Sequence, residues 1–258
     1  MRPNEIERYA RHLVLKEIGG PGQQALLKSR VLVIGAGGLG GPAGLYLAAA
    51  GIGYLEVLDD DAVDLSNLQR QIQFSETDIG KDKSSAMARR LKDINPDISI
   101  SFKNQRLNEK NAQDLIKSFD VVLDGTDNFE TRFLVNQASF ATQTPLISGA
   151  IGRFDGQVSI FNTNDQSPCY QCLVPAIPPQ AQTCSEVGVV GALAGIIGSM
   201  MALETIKHIT GTGNTLNGRV WLFDGMRGES RTISLPKDPA CPVCAQSKAK
   251  ISKADADI

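Results

Sequence analysis

A chain of 258 residues, 42% of them hydrophobic and 21% charged, has enough apolar side chains for a substantial core and an ordinary polar surface. A formal net charge of −2 gives no electrostatic reason to expect nucleic acid or an anionic membrane as partner. The first residues carry no apolar stretch of the secretory kind, which points to the cytoplasm, where the five cysteines stay reduced rather than forming a disulfide framework.

In chain order, residues 4–18 have the spacing of an amphipathic helix, with Asn4 as N-cap and Gly19-Gly20-Pro21 as its stop. Apolar runs at 31–34, 54–58, 98–102, 119–123 and 145–147 alternate with helical patterns at 38–50, 84–94, 109–117 and 129–141. That alternation predicts an α/β fold, a Rossmann-like doubly wound and mainly parallel sheet. After Gly149 the rhythm changes. Residues 154–161, 218–223 and 231–235 alternate as strands do, which predicts antiparallel strands extending the sheet in the C-terminal half. Residues 187–203 are free of charge, with Gly191 and Gly195 in G-x-x-x-G spacing. The stretch is short and its small residues make it weakly apolar, so it reads as a buried helix against a close neighbour, a subunit interface included, rather than as a membrane span. A single domain over 1–244 is expected, followed by a small, polar, lysine-rich tail at 245–258 that frays.

The chemistry starts at the first strand. Gly35-Ala36-Gly37-Gly38-Leu39-Gly40 matches G-x-G-x-x-G between a predicted strand and a predicted helix. Such a loop lets backbone N–H groups meet phosphate oxygens at the positive end of the helix, and Asp59 ends the next strand where ribose hydroxyls are held. A dehydrogenase needs little more. Here the chain adds Ser66-Asn67-Leu68-Gln69-Arg70-Gln71 and then Lys83 at the start of the next helix. Either cation alone reads as a solvated surface residue; together beside a phosphate loop they suit a triphosphate, arginine as a bidentate clamp and lysine as a point charge.

Further along, Asp124-Gly125-Thr126-Asp127-Asn128 is a carboxylate-rich turn at a strand's carboxyl end. A carboxylate there can hold Mg²⁺ on ATP oxygens, while capping of the following helix suits Asp127 or Asn128 equally well. Cys169-Tyr170-Gln171-Cys172 and Cys241-Pro242-Val243-Cys244 are two C-x-x-C pairs, read as Pro-flanked loops. Two such pairs can complete a closed tetrahedral Zn²⁺ site of structural role, which is favoured over a redox dithiol or inert buried thiols. The fifth cysteine, Cys184, lies in a polar, Pro-rich segment expected to be exposed and mobile. The two histidines, His12 and His208, receive no role, which argues against a histidine-based triad or metal site.

Taken together, Gly35 to Gly40, Asp59, residues 66–71, Lys83, Asp127, Cys184 and the two cysteine pairs resemble the bacterial MoeB/ThiF/HesA group over residues 4–244. These are ATP-dependent enzymes that adenylylate the C-terminal glycine of small ubiquitin-fold sulfur carriers ending in Gly-Gly. The resemblance implies nucleotide contacts at Gly35, Gly37, Gly38, Gly40, Asp59, Asn67, Arg70, Gln71, Lys83 and Asp127. It makes Asp127 the catalytic, metal-contacting carboxylate and Asp124 a structural one. Arg11 becomes the arginine inserted into a neighbouring subunit's ATP site, hence a homodimer. Cys184 matches a cysteine that can form a covalent link to the carrier, and because no rhodanese-like segment is read in these residues, the sulfur-transfer step falls to a separate sulfur donor or to Cys184. Two other classes stand beside this one: an NAD-dependent Rossmann oxidoreductase and a non-catalytic scaffold stabilised by zinc.

Overall fold

The computed structural model describes residues 1–177 and 188–245. The strands β1 (Arg30–Ile34), β2 (Tyr54–Leu58), β3 (Ser99–Lys103), β4 (Val121–Asp124), β5 (Leu146–Gly152), β6 (Asp155–Phe161), β7 (Arg219–Asp224) and β8 (Glu229–Ser234) form one sheet. Their order is β3-β2-β1-β4-β5-β6-β7-β8. Pairing is parallel from β3 through β5 and antiparallel from β5 to β8, as the change of rhythm predicted.

The central strand explains its own composition. Val31 and Val33 of β1 join a core with α3 (Gly19–Lys28), α4 (Gly40–Ala50), α5 (Lys83–Ile94) and the long helix α9 (Gly191–Thr210). Leu32 and Ile34 join the opposite core with α6 (Ala112–Ile116) and α7 (Phe129–Thr142). A strand covered on both faces is apolar at every position rather than at alternate ones. The strand β8 is the contrast: every residue is exposed, and it closes the sheet as an open edge.

The N-terminal prediction needs correcting. Residues 4–18 are not one helix; α1 (Pro3–Arg8) and α2 (Ala10–Leu13) are separated at Tyr9, and Arg2 rather than Asn4 precedes the first turn. The break turns Tyr9 inward to 2% exposure, where its hydroxyl accepts a hydrogen bond from Asn95 Nδ2 at 2.8 Å. Gly19-Gly20-Pro21 starts a helix instead of stopping one. Gly19 takes φ +54°, and Pro21 falls in the first turn of α3, where a missing N–H costs no helical bond.

Among the described residues, α9 alone has the length and composition to cross a membrane. It covers the sheet instead, with Ala194, Ile197, Met201 and Ala202 buried in the core shared with α4. It starts at Gly191 because Val189 bridges to Arg153 and Val190 is extended. The G-x-x-x-G pair divides its duties: a Cβ on Gly191 would meet the Gln69 carbonyl at 2.1 Å, whereas Gly195 faces open space.

Candidate active site

Strand order reverses between β1 and β4, and ligands of open α/β sheets sit at the carboxyl ends of strands at such a point. A cavity of about 460 Å³ lies there. Its wall begins with the glycine loop that leaves β1. Gly35 has φ +90°, and a Cβ on Gly40 would stand 1.8 Å from the Gly35 carbonyl oxygen, so the loop closes on itself only with glycine at both ends. Asp59 ties the loop to β2: Oδ2 accepts the Ala36 N–H at 2.7 Å and Oδ1 the Asp61 N–H at 2.9 Å. Burial raises the Asp59 pKa above the ordinary carboxylate value, against those two N–H groups and Lys83. No acceptor among the described residues takes the N–H of Gly37 or Gly38. Both residues line the cavity.

Two cations lie beside this loop. Arg70 lines the cavity, with Nη1 donating to the Ser66 carbonyl at 3.0 Å. Lys83 opens α5 and its side chain is 9% exposed; Nζ rests on Asp61 Oδ2 at 2.8 Å. Gln71 is buried at the wall, and its Oε1 has no hydrogen-bond partner.

The β4 turn supplies the acid. Asn128 is the N-cap of α7, its side chain accepting the Thr131 N–H at 2.9 Å. Asp127, exposed to the cavity, is therefore free of capping and makes no hydrogen bond or ion pair with the described residues. Asp124 is fully buried and accepts from the Thr126 N–H at 3.0 Å and the Thr126 hydroxyl at 2.6 Å, which fixes the turn. Arg132, one turn into α7, braces the same segment by donating to the Thr126 carbonyl and, at 2.9 Å, to the Gly149 carbonyl.

Gly35, Gly37, Gly38, Asp59, Arg70, Gln71, Lys83 and Asp127 thus line one cavity. Three other expected residues do not. Gly40 serves the close turn described above. Asn67 spends its side chain on the Asp64 N–H and the Ser66 hydroxyl at 3.4 Å, closing a 3₁₀ turn. Arg11 is exposed on α2 and is not among the lining residues. Cys184 lies outside the described residues. Sequence reasoning missed Arg132, Arg106 and Gln157, which also line the cavity. Arg132 had a signal in its position one turn beyond the Asp127 turn; the other two have none in local sequence.

A second cavity, about 440 Å³, adjoins the first through Ala150, Ile151 and Gln157 and extends over β7 and β8 to Asp224, Arg227 and Arg231. An extended chain lying there could reach the glycine loop.

The four paired cysteines meet at one point. Their sulfurs all lie within 4.8 Å of one another, with Cys169–Cys241 at 3.5 Å and Cys172–Cys244 at 3.4 Å. A tetrahedron of sulfurs about 2.3 Å from Zn²⁺ has edges of about 3.8 Å, so the set fits that ion. One detail differs from expectation. The first pair does not sit in a loop: Cys169 begins the one-turn helix α8 (Tyr170–Leu173), and that turn brings the Cys172 N–H to the Cys169 carbonyl at 2.9 Å. Burial pushes the Cys169 thiol up to about 11 and raises Cys244 as well. At Cys241 burial is outweighed by the N–H groups of Cys244 and Val243, which pull its thiol down. Four sulfurs this close cannot all ionise without a cation between them.

The fold and this cavity define a Rossmann-type α/β protein with a four-cysteine cluster. The ThiF family profile matches residues 9–243, and the chain belongs to that family. It is 40% identical over 246 residues to the sulfur carrier protein adenylyltransferase of Thermus thermophilus, covering 93% of this chain and 91% of that protein. It is 44% identical over 247 residues to the adenylyltransferase and sulfurtransferase MOCS3 of Anopheles gambiae, covering 95% of this chain but 56% of that one. The chain therefore spans little more than half the length of the MOCS3 proteins it matches. Escherichia coli MccB, solved with ATP, superposes with a TM-score of 0.80 at 22% identity over 92% of this chain and 74% of that one, a likeness of fold.

Proposed function

We propose that this chain uses ATP to adenylylate the C-terminal glycine carboxylate of a small ubiquitin-fold sulfur carrier ending in Gly-Gly. The observation that carries the reading is the convergence of uncommitted loop N–H groups, the cations Arg70 and Lys83 beside them, and an unengaged carboxylate on one cavity. The relatives named as adenylyltransferases support it.

The carrier's terminal carboxylate is already ionised at neutral pH, so the attack needs no general base. It forms a bond to the α-phosphorus of ATP as the bond to the pyrophosphate oxygen breaks, leaving a carrier acyl-adenylate. The barrier is an anion approaching an anion. The N–H groups of Gly37 and Gly38, with Arg70 and Lys83, offset that repulsion and the charge on the leaving pyrophosphate. Lys83 must exchange its hold on Asp61 for a phosphate oxygen as ATP enters. Asp127 would hold Mg²⁺, which when bound adds charge stabilisation on the phosphate oxygens. The second cavity gives the carrier's extended tail a route to the first, and a terminal glycine has no side chain to obstruct it. Zn²⁺ at Cys169, Cys172, Cys241 and Cys244 ties the segment after β8 to α8 and has no open position for substrate.

The same reading makes the chain a cytoplasmic homodimer. The apolar groove formed by Tyr46, Ile72, Ile196, Met200 and Leu203 supports a subunit contact, and Arg11 would complete the neighbour's site. Mixed Arg11→Ala and Lys83→Ala subunits should then recover activity; no recovery after confirmed exchange counts against it. Sulfur delivery is assigned to a separate donor, and Cys184 to a step after adenylylation. Cys184→Ser should therefore leave pyrophosphate exchange intact.

The deciding assay is exchange of labelled pyrophosphate into ATP, with a recombinant ubiquitin-fold carrier ending in Gly-Gly and the same carrier lacking its last glycine. Exchange only with the intact tail supports the reading. Indifference to the tail, or a melting temperature raised by NAD and not by ATP, would replace it.

A further inference from the structure

Gln73 lies behind the glycine loop, 4% exposed, and does not line the cavity. Its Nε2 donates to the carbonyl oxygens of Ala36 at 2.7 Å and Gly37 at 3.2 Å. Two carbonyls converge on one terminal atom, so that atom must be the nitrogen; an oxygen there would face two oxygens. The carboxamide keeps this orientation although Oε1 is then left without a donor. In a trans peptide the C=O and the following N–H point in opposite directions. Drawing the Ala36 and Gly37 carbonyls back toward Gln73 therefore aims the N–H groups of Gly37 and Gly38 the other way. Those are the two loop amides that no acceptor among the described residues takes.

The seat for this carboxamide depends on residue 41. A Cβ on Gly41 would stand 2.1 Å from Gln73 Oε1 and 2.4 Å from its Cδ. Gly41 is thus not a phosphate-loop glycine. It is the gap into which the side chain behind the loop fits. The Gly41 N–H also donates to the Gly37 carbonyl at 3.0 Å, so that oxygen is held from two sides.

We propose that Gln73, seated against Gly41, is a positioning residue that orients the Gly37 and Gly38 amides toward the phosphates of the bound nucleotide without touching it. This rests on reading the cavity as an ATP site.

The test compares ATP and adenosine, the same base and sugar with and without phosphates, by calorimetry on the full chain. Gln73→Leu removes both donors at nearly constant volume, and Gly41→Ala evicts the carboxamide without changing it. Loss of one or two hydrogen bonds predicts about three- to thirtyfold weaker ATP binding in both variants. Adenosine affinity should stay within twofold, and Gln73→Glu, which turns a carboxylate toward two carbonyls, should weaken ATP further. Equal weakening of ATP and adenosine would mean that Gln73 only props the fold, and ATP binding at the wild-type level in both variants would remove any role. Either result overturns the proposal. If wild type itself binds ATP no better than adenosine, the phosphate-site reading fails with it, and that arm separates the two failures. Should Gly41→Ala not fold, Gln73→Leu alone decides.

Discussion

Replacing Lys83 by methionine keeps an unbranched stem of similar length and deletes one charge, so its effects on stability and on catalysis separate cleanly. In the unliganded protein Lys83 Nζ lies 2.8 Å from Asp61 Oδ2, but the Asp61 side chain is 68% exposed. Solvent screens such a pair to about 0–1 kcal/mol, which lowers the melting temperature of a chain this size by about 4 °C at most. The stem is only 9% exposed and methionine fills the same channel, so little packing is lost. Catalysis should suffer more. A cation about 4 Å from a phosphate charge at an effective dielectric of about 20 contributes about 4 kcal/mol, and water entering the vacated position recovers part of it. A net loss of about 2–4 kcal/mol corresponds to a fall of about 30- to 1000-fold in kcat/KM for ATP. Carrier-dependent pyrophosphate exchange measures the rate, and a thermal melt measures the fold. A kcat/KM within threefold of wild type, together with a melting temperature lowered by more than about 10 °C, would refute the reasoning. Lys83 would then be a structural partner of Asp61 rather than a phosphate ligand.

Asp127→Ala should abolish measurable exchange, at least about 100-fold, with an unchanged melting temperature, because Asn128 and not Asp127 caps α7; near-normal exchange would leave Asp127 without a catalytic role. Protein purified without chelator should carry one zinc per chain by elemental analysis, and Cys172→Ser should lower both zinc content and melting temperature; zinc-free protein of full stability would dismiss the ion. Acid stability should report Asp78, whose carboxylate is buried yet held below its ordinary pKa by the N–H and hydroxyl of Ser75 and by Arg89. A depressed carboxylate contributes stability above its unfolded pKa of about 3.9 and loses it as pH falls through the folded value, so wild type should lose melting temperature below about pH 4 more steeply than Asp78→Asn. Parallel curves would show that ionisation of Asp78 contributes no stability, so its carboxylate is not held below its ordinary pKa.

What the sequence disclosed was whatever repeats on the scale of one element. The β1 run and the glycine motif are contiguous, and their chemistry is local, so both were readable as they stand. The parallel-to-antiparallel change after β5 was legible because a two-residue period replaces a helical one. The N-terminal break was not. It depends on Tyr9 finding Asn95, 86 positions away, and nothing within residues 4–18 announces that contact. Asn67 shows a related limit: its motif is contiguous, but whether a side chain faces ligand or closes its own turn, as Asn67 does with no ligand present, depends on where the turn sits. The cap of α7 was undecided in the same way: local sequence offered the role equally to Asp127 and Asn128, and Asn128 takes it.

The dependence between distant segments runs deepest at the glycine loop. Gly35 to Gly40 supplies the N–H groups, but two side chains from other segments hold the loop's backbone, and a third segment packs against it. Asp59 fixes the Ala36 N–H from β2. Gln73 fixes the Ala36 and Gly37 carbonyls from the following turn. The buried carboxylate of Asp124 holds the neighbouring Thr126 turn, where a Cβ on Gly125 would approach the Gly40 nitrogen to 2.8 Å. Each tie is a side chain holding backbone, and each is completed before any ligand arrives. A loop restrained from three sides presents its dipoles without first reorganising, and preorganised donors stabilise a developing charge better than donors that must turn toward it. The glycines therefore give the loop access to conformations that no other residue reaches, and the surrounding polar side chains select one of them.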